Sequence, residues 1–582
     1  MGLAGQAGGD GAVAAWEPRG FMRTLFRIDS PKRGAMIAAM LVALVFVVVG
    51  VLVMTLVSPQ VPYADQWRFY ARLIEQPFPA NVLAADNGHR EVLPNLVRLA
   101  ELRWFGANQQ VQIAIGVMLA LATWLLLARV IWRDASSRAL RVAAVLLLSI
   151  GVFWLGNQRA LAHANDAVHA YLVTTFLVLG LMLVARARPH AEAGFATLAT
   201  LCALAATFSF GSGVATLPAL LFVLALRRAP LRAWLPVLAG LVIAVVLYVS
   251  GAGHDTTTTL RVDVFAQLGI LLRWLAAPFV YVFWPLLDAA VAAMLPTPAR
   301  EIALPVAGAW TGLFGDVHRA LWPQALIGAI GIASLIAAGV RERRMWRLPA
   351  QAPRIALGVA FFALAVGAIV AISRLDYFLV HPDQVQAPRY LVWSSLFWSA
   401  LAIAALLRMR RARLGFALAF GAAALIAPSE VWMGRLASNM QVAADQAALG
   451  GVVGVLARDE RLGETVFDEL AHALPLLERE GVAMYAWPES PWLDRVPPTG
   501  SVRVLDDAIV EVDMIDNRFG GDGMRVRVRA QVRGEARVLI LDAQGNLRGM
   551  TMRDPAAGSG HWRGWIRGRH AAGDLRAAIR VD

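Results

Sequence analysis

The sequence of 582 residues contains a single cysteine, Cys202, which lies inside an apolar block. One cysteine excludes an intrachain disulfide and a cysteine-based metal site. Charged residues make up only 16% of the chain, whereas hydrophobic residues make up 58% and the mean hydropathy is +0.57. Soluble domains are usually about 45–50% apolar. The composition therefore indicates an integral membrane protein.

Several catalytic and nucleotide-binding motifs are also absent. The sequence has no GxxxxGK[ST] loop, no HExxH motif and no GxSxG motif. These absences disfavour a P-loop nucleotidase, a membrane zinc protease and a serine hydrolase of the usual kind. The predicted spans also lack the repeated acidic residues that proton-coupled transporters often carry.

The hydrophobic excess comes in long blocks. Residues 34–57 carry no charge after Arg33 and can cross a hydrocarbon core of about 30 Å at roughly 1.5 Å per residue. This block is too long for a signal peptide, and no small-residue cleavage site follows it. We predict eleven transmembrane spans, at 34–57, 110–131, 142–156, 169–185, 193–209, 213–226, 233–250, 324–340, 355–372, 390–407 and 414–428.

The formal net charge of +13 would suit a nucleic-acid-binding protein, but the arginines cluster in short gaps between apolar blocks. Alternate gaps, which we assign to the cytoplasm, hold 17 arginines, and the short gaps on the other side hold three. Positive charge favours the cytoplasmic side. We therefore expect a multi-pass protein of a bacterial inner membrane without a nucleic-acid partner. Its N-terminal tail, 1–33, is expected in the cytoplasm and its C-terminus in the periplasm.

One apolar segment leaves the span count open. Residues 267–295 are interrupted by Arg273, Pro278 and Pro285. They could form two extra spans, a re-entrant pair or helices on the outer surface. With eleven spans, the membrane domain covers 34–428, with long outer loops at 58–109 and 251–323.

The composition changes after Pro428. Residues 429–499 are predicted to be an outer helical linker with two helices, at 429–458 and 465–480. From about residue 500, apolar and polar residues alternate between glycine-rich turns, as Arg525, Arg527 and Arg529 do with the valines between them. This period predicts strands, and we expect a small β-sandwich at 500–582.

The first outer loop carries polar side chains that a plain membrane anchor does not need. Asp65 follows the predicted end of the first span by eight residues, and His89 and Arg90 lie further along the same loop. The Asp65 carboxylate could accept a proton from a hydroxyl group or hold a divalent cation. Helix capping or simple solvation is the alternative for Asp65, and ordinary packing is the alternative for His89.

Two more outer segments are polar. One includes Arg159, and the other includes Arg374, Arg389 and Tyr390. A guanidinium at the mouth of a span can grip a lipid phosphate through two parallel hydrogen bonds. Interfacial anchoring by snorkelling is the alternative for Arg389.

Several blocks resemble the GT-C class of glycosyltransferases, which use polyprenyl-phosphate sugars. These blocks are YADQW at 63–67, NGHRE at 87–91, FWLGNQ at 153–158, FSFGSGVATLP at 208–218 and APRYLVW at 387–393. A long outer loop directly after the first span is part of the same resemblance, which covers about residues 34–428. It implies an all-α polytopic membrane fold of the GT-C kind, here followed by the small β-rich domain.

The resemblance also implies roles for particular residues. In that class a first-loop carboxylate is the catalytic base or a metal ligand, and outer arginines hold the lipid phosphate. Asp65 would be the base or the ligand of a divalent cation, Mg²⁺ or Mn²⁺, with His89 as a second catalytic candidate. Many members have a paired DxD motif, whereas Gln66 and Trp67 follow Asp65, so metal dependence stays open. The residues expected to bind substrate are Arg90, Glu91, Arg159, Arg374, Arg389 and Tyr390.

The function implied is sugar transfer from a polyprenyl-phosphate donor to a glycan, lipid or protein acceptor of the cell envelope. The expected partners are therefore membrane lipid, the lipid-linked sugar and the acceptor. A flippase for lipid-linked glycans and a non-catalytic scaffold of envelope assembly are the alternatives. A flippase needs a polar pathway through the helices, whereas the charge of this chain concentrates at the outer surface.

Overall fold

The computed structural model describes residues 31–86, 89–186, 190–251, 261–348, 350–534 and 536–581. The chain is mostly helical and ends in an antiparallel sheet. Most of the predicted cytoplasmic tail, residues 1–30, lies outside the described residues, as do Asn87 and Gly88 of the NGHRE block.

The helices follow one another along the chain with short connections. The first eleven are α1 Pro31–Leu56, α2 Gln66–Glu75, α3 Ala80–Leu83, α4 Val92–Phe105, α5 Gln110–Asp134, α6 Arg138–Phe153, α7 Gln158–Ala162, α8 Ala164–Arg186, α9 Glu192–Thr207, α10 Thr216–Arg227 and α11 Leu231–Gly251. The next eleven are α12 Val264–Val282, α13 Trp284–Leu287, α14 Ala289–Ala293, α15 Thr297–Phe314, α16 Leu321–Arg344, α17 Ala352–Ser373, α18 Leu375–Val380, α19 Pro388–Leu407, α20 Ala412–Ile426, α21 Ser429–Val453 and α22 Phe467–Glu480.

Local chemistry sets several of these boundaries. Ser137 begins α6 by accepting a hydrogen bond on its hydroxyl from the Leu140 N–H, at 3.3 Å. Asp263 begins α12 in the same way, accepting from the Ala266 N–H at 3.0 Å. At the end of α4, Gly106 adopts a φ of 63°, a conformation that glycine tolerates without steric cost.

Among the described residues, eight helices are long and apolar enough to cross a membrane. They include α1, α5, α8, α12, α16, α17 and α19, and the eighth is the segment 138–162 that contains α6 and α7. Shorter apolar helices occupy the predicted spans at 193–209, 213–226 and 233–250. The last predicted span corresponds to α20, which is bent by 46° relative to α21. An apolar helix is therefore present at each of the eleven predicted positions.

The helix α12 lies in the segment that sequence patterns left open. Before its first turn, Arg261 pairs with Asp376 at 3.7 Å, and near its last turn the Tyr281 hydroxyl donates to the Gln386 carbonyl at 2.9 Å. Both partners belong to the single connection between α17 and α19. Although α12 has the length of a span, its two ends therefore lie on the same side of the helical bundle.

The first outer loop packs directly on the region that follows α21. The Ala64 N–H donates to the Thr465 hydroxyl at 3.1 Å, and the Glu464 N–H donates to the Tyr63 hydroxyl at 3.0 Å. The helices α2 and α22 are also in contact. The first outer loop and the C-terminal region therefore lie on one side of the helical bundle. We call this the outer side.

Seven strands form the β-rich region: β1 Val502–Val504, β2 Ile509–Met514, β3 Gly523–Arg529, β4 Arg537–Leu541, β5 Leu547–Arg553, β6 His561–Arg567 and β7 Arg576–Arg580. Their order is β1-β7-β4-β5-β6-β3-β2, and all pairings are antiparallel. We predicted a β-sandwich, and the hydrogen bonds join all seven strands in a single sheet. The predicted alternation in β3 is confirmed, because Val526 and Val528 are buried between more exposed arginines.

Both faces of this sheet are covered. On one face, Val526, Ile540 and Ile566 belong to a core within the sheet region. On the other face, Met550 and Trp565 belong to a second core, in which the strands β5 and β6 contact the helix α21. The sheet is thereby fixed to the outer helices, and these in turn contact the first outer loop.

The position of α12 gives the first prediction. In a Cys202→Ala background, single cysteines at Val262 and Ala289, which flank α12, should both react with a membrane-impermeant maleimide added to intact spheroplasts. Both positions are exposed, and both should face the periplasm. Ala191 before α9, replaced by cysteine, is the cytoplasmic control and should react only after permeabilisation. Labelling at only one of the two α12 positions would show that α12 crosses the membrane.

Candidate active site

Polar side chains of four outer segments meet above the helical bundle. The segments are the first outer loop, the connection between α6 and α8, the first turn of α19 with the connection before it, and the loop that precedes α22. We call the group formed by Asp65, Arg159, Arg389 and Glu464 the outer site.

Asp65 occupies the position before the first residue of α2. Its side chain makes no hydrogen bond to the N–H groups that begin this helix, so the capping alternative does not describe it. The side chain is 52% exposed, and one oxygen lies 3.5 Å from Arg68 Nη2. A carboxylate at a helix N-terminus is stabilised by the helix dipole. Asp65 therefore presents an accessible negative charge on the outer side.

Arg68, the neighbour of Asp65, is already engaged by other carboxylates. Its Nε and Nη2 atoms each donate to one oxygen of Asp86 at 2.9 Å, and its Nη1 atom pairs with Glu469. A two-pronged pair of this kind is among the strongest charge-assisted contacts. Burial raises the pKa of the Glu469 carboxyl, although the Arg68 charge opposes this effect. Because Arg68 is occupied elsewhere, the Asp65 carboxylate stays available to a substrate.

Arg159 and Arg389 share one carboxylate. Arg159 is only 5% exposed; its Nε lies 2.8 Å from Asp166 and its Nη2 lies 3.3 Å from a Glu464 oxygen. The same Glu464 oxygen lies 3.9 Å from Arg389 Nη1. The charge of Asp65 also acts on Arg159. The charge of Asp65 and the guanidinium of Arg389 therefore act on the same ion pair, that of Arg159 and Glu464, although more than 300 residues separate Asp65 from Arg389 in sequence.

Arg389 is directed at outer-loop groups. Its Nη2 donates to the Gln384 side-chain oxygen at 3.1 Å, and its guanidinium lies 5.1 Å from the centre of the Tyr390 ring. Tyr63 plays a similar part for Arg159, with its ring centre 5.2 Å from that guanidinium. Aromatic rings favour a cation over their face. Tyr390 therefore orients Arg389 towards the outer site.

Glu91, which we predicted to bind substrate, lies deeper than that role requires. It is 3% exposed, accepts from Arg98 Nη2 at 2.7 Å and lies 3.1 Å from His169 Nε2. Burial would raise the pKa of Glu91, but the charges of His169 and Arg98 outweigh it and hold that pKa well below its usual range. Glu91 is thus enclosed and paired with Arg98, and this contact helps to position the first outer loop.

His89 lies between this enclosed pair and the surface. Its ring is tilted against Phe210 at 5.2 Å between centroids, and a Cβ atom on Gly211 would overlap with His89 Nδ1. Gly211 of the FSFGSGVATLP block therefore makes room for the imidazole. Burial lowers the pKa of His89, so this ring is neutral at neutral pH. Backbone hydrogen bonds between His89 and Asp86, at 2.7 and 2.8 Å, tie it to the partner of Arg68.

Two of the arginines that we predicted to bind substrate have no acidic partner among the described residues. Arg90 and Arg374 are half-buried, and neither has an ion-pair or side-chain hydrogen-bond partner within the described ranges. The Arg374 charge acts on His89. An arginine without a carboxylate partner is suited to bind an anion. Arg374 therefore lies close enough for its charge to act on His89, which is joined through Asp86 to Arg68 beside Asp65.

The donor set around Asp65 does not suit a divalent cation. Across the described parts of the chain, no group of three or more histidine, cysteine, aspartate or glutamate side chains could hold a metal. The charged side chain closest to Asp65 is Arg68, and a guanidinium repels a divalent cation. The prediction of Mg²⁺ or Mn²⁺ at Asp65 is therefore not supported by the residues present.

Several residues of this area were not singled out from the sequence. Arg68, Asp86, Arg98 and Glu464 each contribute an ion pair. Glu464 is the most distant of them, because it comes from the C-terminal region, and no local pattern sets it apart from other loop glutamates. Arg98 lies on α4, which also carries Glu101 and Arg103, so its charge alone does not set it apart.

Comparisons with known proteins add a distant likeness. No protein-family model and no curated protein matches the sequence. The chain is similar to archaeal oligosaccharyltransferases. The Archaeoglobus fulgidus oligosaccharyltransferase in complex with zinc and sulfate aligns with 68% of this chain and 53% of its own, at 16% identity and a TM-score of 0.36. AglB from the same organism, in complex with an inhibitory peptide and a dolichol-phosphate, aligns with 69% and 56%, at 15% identity and a TM-score of 0.32.

These neighbours are GT-C-type glycosyltransferases, the class that the sequence blocks resemble. The chain spans little more than half the length of the structures it matches. A likeness of this size assigns the chain to no family.

The enclosed ion pair gives the second prediction. Glu91→Gln removes one charge and leaves the Arg98 guanidinium buried without its carboxylate. Loss of one partner from a buried pair costs about 3–5 kcal/mol, so we expect a clear fall in the thermal unfolding temperature in detergent. The matched control is Asp516→Asn, which alters the exposed pair Arg458–Asp516 and should change stability little.

The pH dependence of this difference follows from the lowered pKa of Glu91. Its contribution to stability is complete above the ordinary glutamate pKa of about 4.3 and is lost only as the pH falls below that range. The gap between the native chain and Glu91→Gln should therefore be constant near neutral pH and close on acidification. A gap that is absent at neutral pH would contradict this role of Glu91.

Proposed function

We propose that the chain is a membrane glycosyltransferase of the GT-C kind, which transfers a sugar from a polyprenyl-phosphate donor to a cell-envelope glycan, lipid or protein on the periplasmic face. The observation that carries this proposal is the outer site. It combines an accessible carboxylate, Asp65, with arginines that have no full complement of acidic partners. Direct displacement at a sugar carbon next to a phosphate leaving group needs both.

In this proposal, the arginines of the outer site bind the phosphate of the lipid-linked donor. Arg389 and Arg159 now share the Glu464 carboxylate at 3.9 and 3.3 Å. A phosphate group, which is also negatively charged, can bind to the two guanidinium groups in place of this carboxylate. A lipid phosphate would displace Glu464 from Arg389 and add contacts to Arg374, which has no ion-pair partner among the described residues. Guanidinium groups aimed at a leaving phosphate stabilise the charge that develops there in the transition state.

In this proposal, the Asp65 carboxylate activates the hydroxyl group of the acceptor. In the proposed step an acceptor hydroxyl attacks the anomeric carbon, and its proton passes to the Asp65 carboxylate. The bond between the sugar carbon and the phosphate oxygen breaks, and the electron pair leaves with the lipid phosphate. Attack from the face opposite the phosphate inverts the anomeric centre. No metal enters this scheme, since no group of three or more metal-ligating side chains lies in the described parts of the chain and the side chain that pairs with Asp65 is the Arg68 guanidinium.

A groove on the membrane side supports a lipid-linked substrate. It has a volume of about 820 Å³ and lies between α1 and α5, with Thr55, Gln60 and Gln110 at its polar end and apolar side chains along its walls. The neighbouring Gln109 accepts a hydrogen bond from the Gln66 amide at 2.6 Å, and Gln66 follows Asp65. An isoprenoid chain in this groove would therefore reach the level of the outer site.

Asp65→Asn tests the chemistry. Asparagine keeps the shape of the side chain but cannot accept the acceptor proton, so transfer should fall by about 10²–10⁴-fold, the usual contribution of a general base. Protein abundance should stay normal, because Asp65 is exposed and caps no helix. Glycan analysis of envelope extracts measures the effect, and Asp513→Asn on the sheet surface is the matched control. Full transfer by Asp65→Asn would contradict the assignment. An unchanged glycan profile in a deletion strain would favour a scaffold.

Arg389→Lys tests the phosphate contact. Lysine keeps the positive charge but loses the two-pronged geometry that matches a phosphate. We expect the KM for the lipid-linked donor to rise, with less effect on the thermal unfolding temperature. Arg410→Lys, an exposed change on the opposite side of the helical bundle, is the control. An unchanged donor KM would exclude Arg389 from phosphate binding.

A further inference from the structure

The segment between α12 and α16 forms a small unit of its own. Within it, α15 packs against α13 and α14 through Ala292, Ala303 and Ala307, a cluster separate from the main helical core. We call residues 284–314 the outer hairpin. Its only buried apolar residues on α15 are two alanines one helical turn apart.

Apart from these alanines, α15 from residue 302 onwards is mostly apolar and is not covered by other parts of the described chain. From residue 302 to residue 314 the helix carries no charge. Ile302 is 71% exposed and Leu313 is 76% exposed, and Val306 is also exposed. A helix that is apolar around most of its circumference is buried in a core or in a membrane. Because the protein covers only its alanine face, another apolar medium has to cover the remainder.

The uncovered surface of α15 continues onto a membrane helix. Trp310 contacts Phe314 at 4.4 Å between centroids, and Phe314 contacts Trp322 at 5.1 Å. Trp322 belongs to the first turn of α16, a candidate span whose Leu326 is 55% exposed further along. Tryptophan rings at the end of a span, such as Trp322, are typical of the membrane interface. The surface that lipid covers on α16 therefore extends to α15.

The length of α15 decides how deep it can lie. Its thirteen uncharged residues extend about 20 Å at 1.5 Å per residue, too short for a hydrocarbon core of about 30 Å. The unit also begins and ends on the outer side, since it connects the outer end of α12 to the start of α16. Charged residues lie at both ends of this uncharged stretch. Arg300 and Glu301 precede it, and Asp316 follows the end of the helix.

We propose that the outer hairpin is a monotopic membrane element, with the apolar face of α15 buried in the lipid of the outer leaflet. The occupant of this face is lipid acyl chain, because the face is continuous with the lipid-facing surface of α16. The charged residues at both ends of α15 then lie at headgroup level, and the helix lies along the interface, as amphipathic anchors do. This inference is independent of the glycosyltransferase proposal.

The single native cysteine makes the test direct. In a Cys202→Ala background, one cysteine is placed at Ile302 or Leu313 of the full chain, labelled with an NBD maleimide and reconstituted into phosphatidylcholine vesicles. Two reference variants carry the same probe. Leu326 reports a lipid-facing position near the outer end of α16, and Val496, which is 63% exposed, reports an apolar side chain on the region after α22.

The expected result is loss of NBD fluorescence at Ile302 and Leu313 in vesicles of lipid brominated near the headgroup, matching the loss at Leu326. Aqueous iodide should quench the probe at Val496 but not these positions. Quenching by iodide without quenching by brominated lipid would overturn the proposal, since water would then cover α15. Protection from both quenchers would also overturn it, because a protein surface, such as a second copy of the chain, would then be the occupant.

Discussion

The contact between the first outer loop and the loop before α22 is the interaction on which the proposed site depends. The Tyr63 hydroxyl, the Ala64 N–H and Arg68 of the first loop bind groups of the C-terminal region, at Glu464, Thr465 and Glu469. These contacts join segments about 400 residues apart. They hold Asp65 at the surface and bring Glu464 between Arg159 and Arg389. Without them, the carboxylate and the arginines would belong to separate loops.

The balance of charge gives this area its chemical character. Most acidic side chains are fully committed: Asp86 to Arg68, Glu91 to Arg98, and Asp166 to Arg159. Asp65 keeps an exposed carboxylate, and Arg90 and Arg374 keep unpaired charge within the described residues. A surface with one exposed carboxylate beside several guanidinium groups suits proton abstraction next to an anionic leaving group. It suits a divalent cation much less.

Structural features that depend on a short stretch of sequence could be predicted. Apolar blocks such as 34–57 give the spans because hydrocarbon thickness fixes their length, and the alternation around Arg527 gives a strand because side chains change face at every residue. The positions of Asp65 and Arg389 at the ends of predicted spans could be read from the sequence in the same way. The open question at 267–295 needed contacts at both ends of α12, which no hydropathy pattern contains.

Features that depend on distant pairing could not be predicted. Glu91 looks like its polar neighbours in NGHRE, and only the partners Arg98 and His169 show that it is enclosed. Glu464 reaches the site from the C-terminal region, and its role depends on two arginines of other segments. The single sheet in place of a sandwich depends on which strands pair, whereas the strand pattern shows only which residues alternate.

The measurement that tests the central claim most directly is a cryo-electron microscopy map of the full chain in a lipid nanodisc with added polyprenyl phosphate. The account predicts phosphate density in contact with Arg389 and Arg374, with the Glu464 carboxylate displaced from Arg389 and Asp65 facing the space beside the phosphate. Phosphate density elsewhere on the outer surface, with the Glu464–Arg389 contact intact, would contradict it.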